Sequence, residues 1–233
     1  MKLGVVIPTF AWTPDEALTV AAGAAAFGVD GVFAYDHLWP MGNRSRPAMA
    51  PFPILSEIAT RHESLFVGTL VARIGMVPDE VLLSQFRALG AVAPGRVVAA
   101  IGTGDKLSAE ENEAYGIGFA PADERRASLR AVMGTLLDEG FEGWIGGGAE
   151  KTVAIAAELG CTLNMWGASP EALREQAQST LVSWAGMAVD PKGAPPREAL
   201  GRQKAELEDA GATWAVFGWP LSMGDLVGRA KQG

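Results

Sequence analysis

One cysteine and two histidines stand in a chain of 233 residues. The lone Cys161 leaves no partner for an internal disulfide and no cysteine cluster for a metal. His37 and His62 are far apart, and no His, Asp or Glu set has ligand spacing, so no bound metal is expected. Basic residues are outnumbered, 19 Lys and Arg against 27 Asp and Glu, for a net charge of -8. No basic patch is interleaved with aromatics, so neither nucleic acid nor an anionic membrane is an expected partner. No run of about 20 apolar residues is present, so no spanning helix is expected. Met1-Lys2-Leu3 leads into an apolar stretch too short for a signal sequence. These absences point to a cytoplasmic protein. No G-x-S-x-G, G-x-G-x-x-G or Walker loop occurs, and Cys161 has no activating neighbour, so hydrolysis through a covalent nucleophile is not expected.

What is present is apolar and regular. Hydrophobic residues make up 48% of the chain and charged residues 20%, enough to bury a large core. Short apolar runs alternate with helical patterns. Strands are predicted over 3–10, 32–35, 65–71, 96–101, 143–145, 162–166, 180–185 and 213–217. The run 143–145 is the weakest of them. Helices are predicted from Thr13-Pro14 to Phe27, over 51–62, from Pro78 to near Pro94, through Leu129, Val132, Met133, Leu136 and Leu137, over 149–159, from Ser169, over 196–210 and over 223–231. Thr13 and Glu16 have the spacing of a capping box. Ile54, Leu55, Ile58 and Ala59 share one helix face, and the helix from Pro78 carries Val81, Leu82, Phe86 and Leu89. Residues 102–121 read as a polar loop.

Eight strands, each followed by a helix, average about 29 residues per unit, the size of a compact βα repeat. Such alternation implies a parallel sheet. Eight units with no surplus predict an α/β fold of the (β/α)8 TIM-barrel type, compact and with few insertions, as a single domain over 1–233.

In a barrel the loops after the strands share one rim, and sites lie there. The most informative strand end is Val32-Phe33-Ala34-Tyr35 passing into Asp36-His37, an apolar run that switches to an acid and an imidazole. The same rim collects Trp12, Trp39, Thr69, Arg73, Thr103, Asp105, Trp166, Ser169 and Trp219. Flat aromatic side chains around a concave mouth suit a planar ring ligand. They can equally plug the barrel. Gly102-Thr103-Gly104 and Gly146-Gly147-Gly148 follow two strands. The second opens a helix, where bare amides favour phosphate. A tight strand-to-helix turn accounts for either segment as well.

These residues resemble the luciferase-like monooxygenase superfamily, within it the oxidoreductases dependent on coenzyme F420. The resemblance runs through Gly28-Val29-Asp30-Gly31-Val32-Phe33 to Asp36-His37-Leu38, through Ile58-Ala59-Thr60-Arg61 and Val67-Gly68-Thr69-Leu70-Val71, through Pro94-Gly95-Arg96-Val97 to Gly102-Thr103-Gly104, and through Trp144-Ile145-Gly146-Gly147. It implies a barrel with a flavin or deazaflavin in its mouth. By position, Asp36 and His37 lie near the ring, with His37 polarising or protonating a reacting group. Leu70-Val71 stands where the family often has a non-proline cis peptide against the ring. Thr103 and Asp105 approach the ring or its ribityl side, and Gly146, Gly147 and Gly148 take the phosphate. Trp12, Trp39, Arg73 and Trp166 border a small-molecule substrate.

The chain departs from the family in three respects. Its loop before Trp144 is much shorter than the usual hairpin insertion, Arg73 replaces a small or hydroxyl residue, and Asp105 stands where sugar-phosphate dehydrogenase relatives carry glutamate. The implied activity is hydride transfer between F420 and a small organic substrate, in a homodimer as is common among relatives. FMN is the alternative cofactor, with a partner flavin reductase. A carrier without turnover, or a barrel enzyme for a phosphorylated metabolite without a redox cofactor, are the other readings left open.

Overall fold

The computed structural model describes residues 1–40, 43–188 and 196–228. Its strands are β1 (Lys2–Val6), β2 (Gly31–Ala34), β3 (Phe66–Thr69), β4 (Ala72–Arg73), β5 (Val97–Gly102), β6 (Glu142–Gly146), β7 (Thr162–Trp166), β8 (Val182–Gly186) and β9 (Ala212–Phe217). Every pairing is parallel, in the order β3-β2-β1-β9-β8-β7-β6-β5-β4. β3 also pairs with β5, Val67 opposite Val97, and this closes an eight-stranded (β/α)8 barrel. β3 and β4 are one barrel strand interrupted at Leu70–Val71, a cis peptide; beyond it Arg73 pairs with Gly102 of β5.

The helices are α1 (Asp15–Phe27), α2 (Pro51–Arg61), α3 (Asp79–Val92), α4 (Lys106–Ala114), α5 (Ala122–Asp138), α6 (Glu150–Leu159), α7 (Pro170–Gln176), α8 (Pro196–Asp209) and α9 (Met223–Val227). None is long and apolar enough to cross a membrane among the described residues.

Alternation along each strand divides the apolar residues into two cores. Val32 and Ala34 of β2 face outward and pack with helix residues such as Ile54, Leu55 and Ile58. Phe33 between them points into the barrel, with Trp144, Trp214, Val98 and Val216. Both strand faces are buried, which is why the strands read as continuous apolar runs. Inside, Phe33 stacks on Trp144 at 5.3 Å and meets Trp214 edge-on at 5.6 Å. Both indole N–H groups donate to Glu142 Oε1, at 3.2 and 3.0 Å. The lower barrel is therefore a packed aromatic plug with its polar atoms satisfied.

Several expectations need correction. The first strand ends at Val6, so 7–10 belong to the rim. The weakly predicted strand near 143–145 is complete, as β6. No capping box forms at Thr13; its hydroxyl donates to the nearer Asp15 carboxylate at 2.9 Å. Of the apolar residues carried by α3, Leu82, Leu83, Phe86 and Leu89 are buried and Val81 is 43% exposed. The polar stretch 102–121 contains α4, started by a capping box between Asp105 and Ser108. The helix predicted over 223–231 is found as α9, and 229–231 lie outside the described residues.

Val71 sits on two glycines. A Cβ built on Gly102 would lie 2.7 Å from Val71 Cγ2, and one on Gly146 would lie 2.9 Å from Cγ1. A β-branched side chain has little freedom to retreat. Gly102→Ala is expected to destabilise the barrel by about 1–3 kcal/mol. The Gly102→Ala, Val71→Ala pair should lose less than the sum of the single changes in denaturant unfolding.

Candidate active site

β2 runs out at Ala34, and its continuation delivers Tyr35, Asp36 and His37 to the rim. Here the chain places acid and base together around one buried carboxylate. Glu111, from α4, has a side chain only 4% exposed, and the Arg73 side chain beside it is 5% exposed. Glu111 Oε1 accepts the backbone N–H groups of Leu38, in a short hydrogen bond, and Trp39, at 3.3 Å. Glu111 Oε2 lies 3.2 Å from His37 Nδ1 and 2.6 Å from Arg73 Nη1. The Arg73 contact is an ion pair without hydrogen-bond alignment. Arg73 turns its other end to Asp36: its backbone N–H donates to Asp36 Oδ2 at 2.7 Å, and Nη2 donates to the Asp36 carbonyl at 3.0 Å.

Burial sets the electrostatics. It pushes the Asp36 carboxyl up to about 6, against the pull of the Arg73 N–H and guanidinium. Burial also raises Glu111, but the His37 hydrogen bond, Arg73 and the Leu38 N–H outweigh it and hold this carboxyl below its ordinary range. Two carboxyls that meet the same Arg73 are thus driven in opposite directions. Thr9 Oγ1, Arg73 Nε and Asn112 Oδ1 are buried without a hydrogen-bond partner among the described residues.

An aromatic set lines the same rim. Phe10 stacks on Tyr35 at 5.8 Å and lies 6.4 Å from the His37 ring. Tyr35 meets His37 edge-on at 6.2 Å and Trp166 at 5.9 Å. Burial pushes the Tyr35 phenol up to about 12, so it stays neutral.

The residues singled out in the sequence fall into distinct places. Asp36, His37 and Arg73 form one network, and Trp166 joins it through Tyr35. Leu70 is buried, and Val71 covers Gly102 and Gly146. Asp105 caps α4, accepting from Ser108 N at 3.0 Å. The Thr103 carbonyl accepts from Arg125 Nε at 2.8 Å. The Gly147 N–H donates to the Asn164 carbonyl at 3.2 Å, while Gly148 faces open space before α6. Trp39 is 8% exposed, stacked on Tyr115 at 5.3 Å. Trp12 is 84% exposed, at the outer edge. Trp219 donates to Glu16, Ser169 caps α7, and the Thr69 hydroxyl donates to the Ala100 carbonyl. The sequence reading does not find Glu111, Phe10 or Asn112. Tyr35 is read there only as strand.

The raised Asp36 carboxyl gives stability a definite pH dependence. The native state holds this proton more tightly than the unfolded chain between the ordinary carboxylate range, about 4, and about 6. Its contribution is therefore most favourable below that window and declines as pH rises through it. Asp36→Asn should remove the decline, changing the stability gap between variant and parent by about 2–3 kcal/mol across the window. Titrating groups distant from Asp36 are common to both proteins and cancel. Urea unfolding at stepped pH measures the gap; a constant gap contradicts the assignment.

No family model matches the chain. The F420-dependent glucose-6-phosphate dehydrogenase of Nakamurella multipartita is 34% identical over 120 residues, which is 50% of this chain and 34% of that protein. The enzyme of the same name from Microbacterium testaceum is 29% identical over 144 residues, 61% of this chain and 42% of that one. The chain thus spans well under half the length of these curated relatives. Among solved structures, an F420-dependent secondary alcohol dehydrogenase in complex with an F420-acetone adduct matches with a TM-score of 0.79 at 15% identity, covering 97% of this chain and 96% of that one. The coenzyme F420 dependent tetrahydromethanopterin reductase from Methanopyrus kandleri matches with a TM-score of 0.73 at 12% identity, covering 97% and 96%. The chain is thus similar in sequence, over half to three fifths of its own length, to F420-dependent glucose-6-phosphate dehydrogenases, and it shares its barrel fold with these solved structures.

Proposed function

We propose that this barrel, acting as a single domain, is an oxidoreductase that uses coenzyme F420 on a small organic substrate. The observation that carries the reading is His37, held on a buried carboxylate and 30% exposed amid the aromatic rim, in a chain whose curated relatives are F420-dependent dehydrogenases.

The residues present fit such a cofactor. Tyr35, Trp166 and the step made by Val71 supply flat apolar surface for a tricyclic ring. Gly148 has open space around it and leads through Ala149 into α6, which has no side-chain cap, so backbone N–H groups are available for a phosphate. Thr9 Oγ1 and Arg73 Nε are buried polar atoms with hydrogen-bonding capacity to spare. When bound, the deazaflavin supplies two-electron hydride chemistry. The chain's part is to hold ring and substrate together, exclude water with Phe10, Tyr35 and Trp166, and exchange a proton with the substrate through His37. Neutral Tyr35 adds no charge to that exchange.

Anaerobic titration of the purified protein with F420 and with FMN tests the cofactor. F420 is expected to bind and FMN to bind weakly; tight FMN binding without affinity for F420 overturns the reading. With F420 bound, His37→Ala should lower kcat by about 100-fold or more while F420 affinity changes little. Unchanged turnover removes His37 from the chemistry and favours a carrier role.

A further inference from the structure

The nearest acid to His37 in sequence is not the one it meets. Asp36 is engaged by the Arg73 backbone N–H at 2.7 Å. The imidazole is met instead by Glu111, 74 residues further on, from a helix that packs over the rim. Every partner of Glu111 is a donor or a cation. Oε1 takes the N–H groups of Leu38 and Trp39, and Oε2 takes Arg73 Nη1 and His37 Nδ1. A carboxylate so surrounded has no proton to give, so the contact at Nδ1 can be a hydrogen bond only if the ring donates.

We infer that Glu111 is a positioning residue that keeps the single proton of neutral His37 on Nδ1, so that Nε2 presents its lone pair at the mouth of the barrel. The ring lies between two environments, its Nδ1 edge on a side chain 4% exposed and the ring itself 30% exposed. Phe10 and Tyr35 brace it, at 6.4 and 6.2 Å between ring centroids. A free imidazole exchanges between tautomers, and only the form with an unprotonated Nε2 can accept a proton there. Fixing the tautomer in advance is how an orienting carboxylate serves a histidine base without touching the substrate. Arg73 completes the arrangement by compensating the Glu111 charge, so that Glu111 remains an acceptor when the ring is neutral. For its kinetic consequence the inference rests on the redox reading above; for the tautomer itself it rests on geometry alone.

The test uses the full chain, first without cofactor. Long-range proton–nitrogen correlation spectra of labelled protein report each histidine's tautomer, and the chain has only two histidines to resolve. His62→Gln assigns them. At a pH where imidazole is neutral, His37 is expected in the Nδ1–H form. In Glu111→Gln, the amide can donate as well as accept, and the Nε2–H form should appear. With F420 and a turned-over substrate, the same variant should lose about 10- to 100-fold in kcat, with KM within about 3-fold. A wild-type His37 protonated on Nε2 overturns the inference, as does a variant whose tautomer and kcat are both unchanged. Should Glu111→Gln fail to fold, the wild-type spectrum alone decides. Should the protein take no F420, the redox reading falls while the spectrum still reads the tautomer.

Discussion

A carboxylate withdrawn from water has to be compensated by the groups around it, and at Glu111 that requirement joins three separate pieces of chain. The turn after β2 supplies two backbone N–H groups and the His37 ring, β4 supplies Arg73, and α4 supplies the acid. Arg73 in turn holds Asp36, through its backbone N–H and guanidinium. Removing any one member leaves another's charge or donor buried without its partner, a larger penalty than the worth of the single contact. The rim is thus specified as a unit rather than as a series of independent loops.

Beneath this network the barrel supplies rigidity. Inward-facing Phe33, Trp144 and Trp214 pack in stacked and edge-on contacts, and the two indole N–H groups share Glu142. Above them, Val71 fills the space that side chains at Gly102 and Gly146 would occupy. Gly146, expected among the phosphate-binding glycines, therefore has a packing role of its own. Only Gly148 of the triplet faces open space; the N–H of Gly147 is taken by Asn164.

The strands were legible because both of their faces are apolar, and the strand end at Tyr35-Asp36-His37 was legible because the switch to polar residues is abrupt. α4 was not, for a physical reason. Its buried side chains among the described residues, Ser108, Glu111 and Asn112, stand at helical spacing and are all polar. A hydropathy pattern has nothing to register there, and Glu110-Glu111-Asn112-Glu113 reads as a solvated run. The signal present was local: Asp105 and Ser108 stand at the spacing of a cap, which the sequence reading did not use. The tryptophans show a different limit. Trp12 and Trp39 both follow strand ends, yet one is 84% and the other 8% exposed. What separates them is Tyr115, which stacks on Trp39 from a distant part of the chain. The interruption of the third barrel strand into β3 and β4 has no mark in its apolar run, and it was the resemblance that pointed to a cis peptide at Leu70-Val71, where it is found.

The aromatic plug also governs traffic. Indoles and a phenyl ring fill the lower barrel among the described residues, so a molecule held at the rim under the proposed function would come and go on the side of the loops that follow the strands. Were cofactor and substrate to share the rim as proposed, the one lying deeper would enter first and leave last, an order set by the plug beneath them.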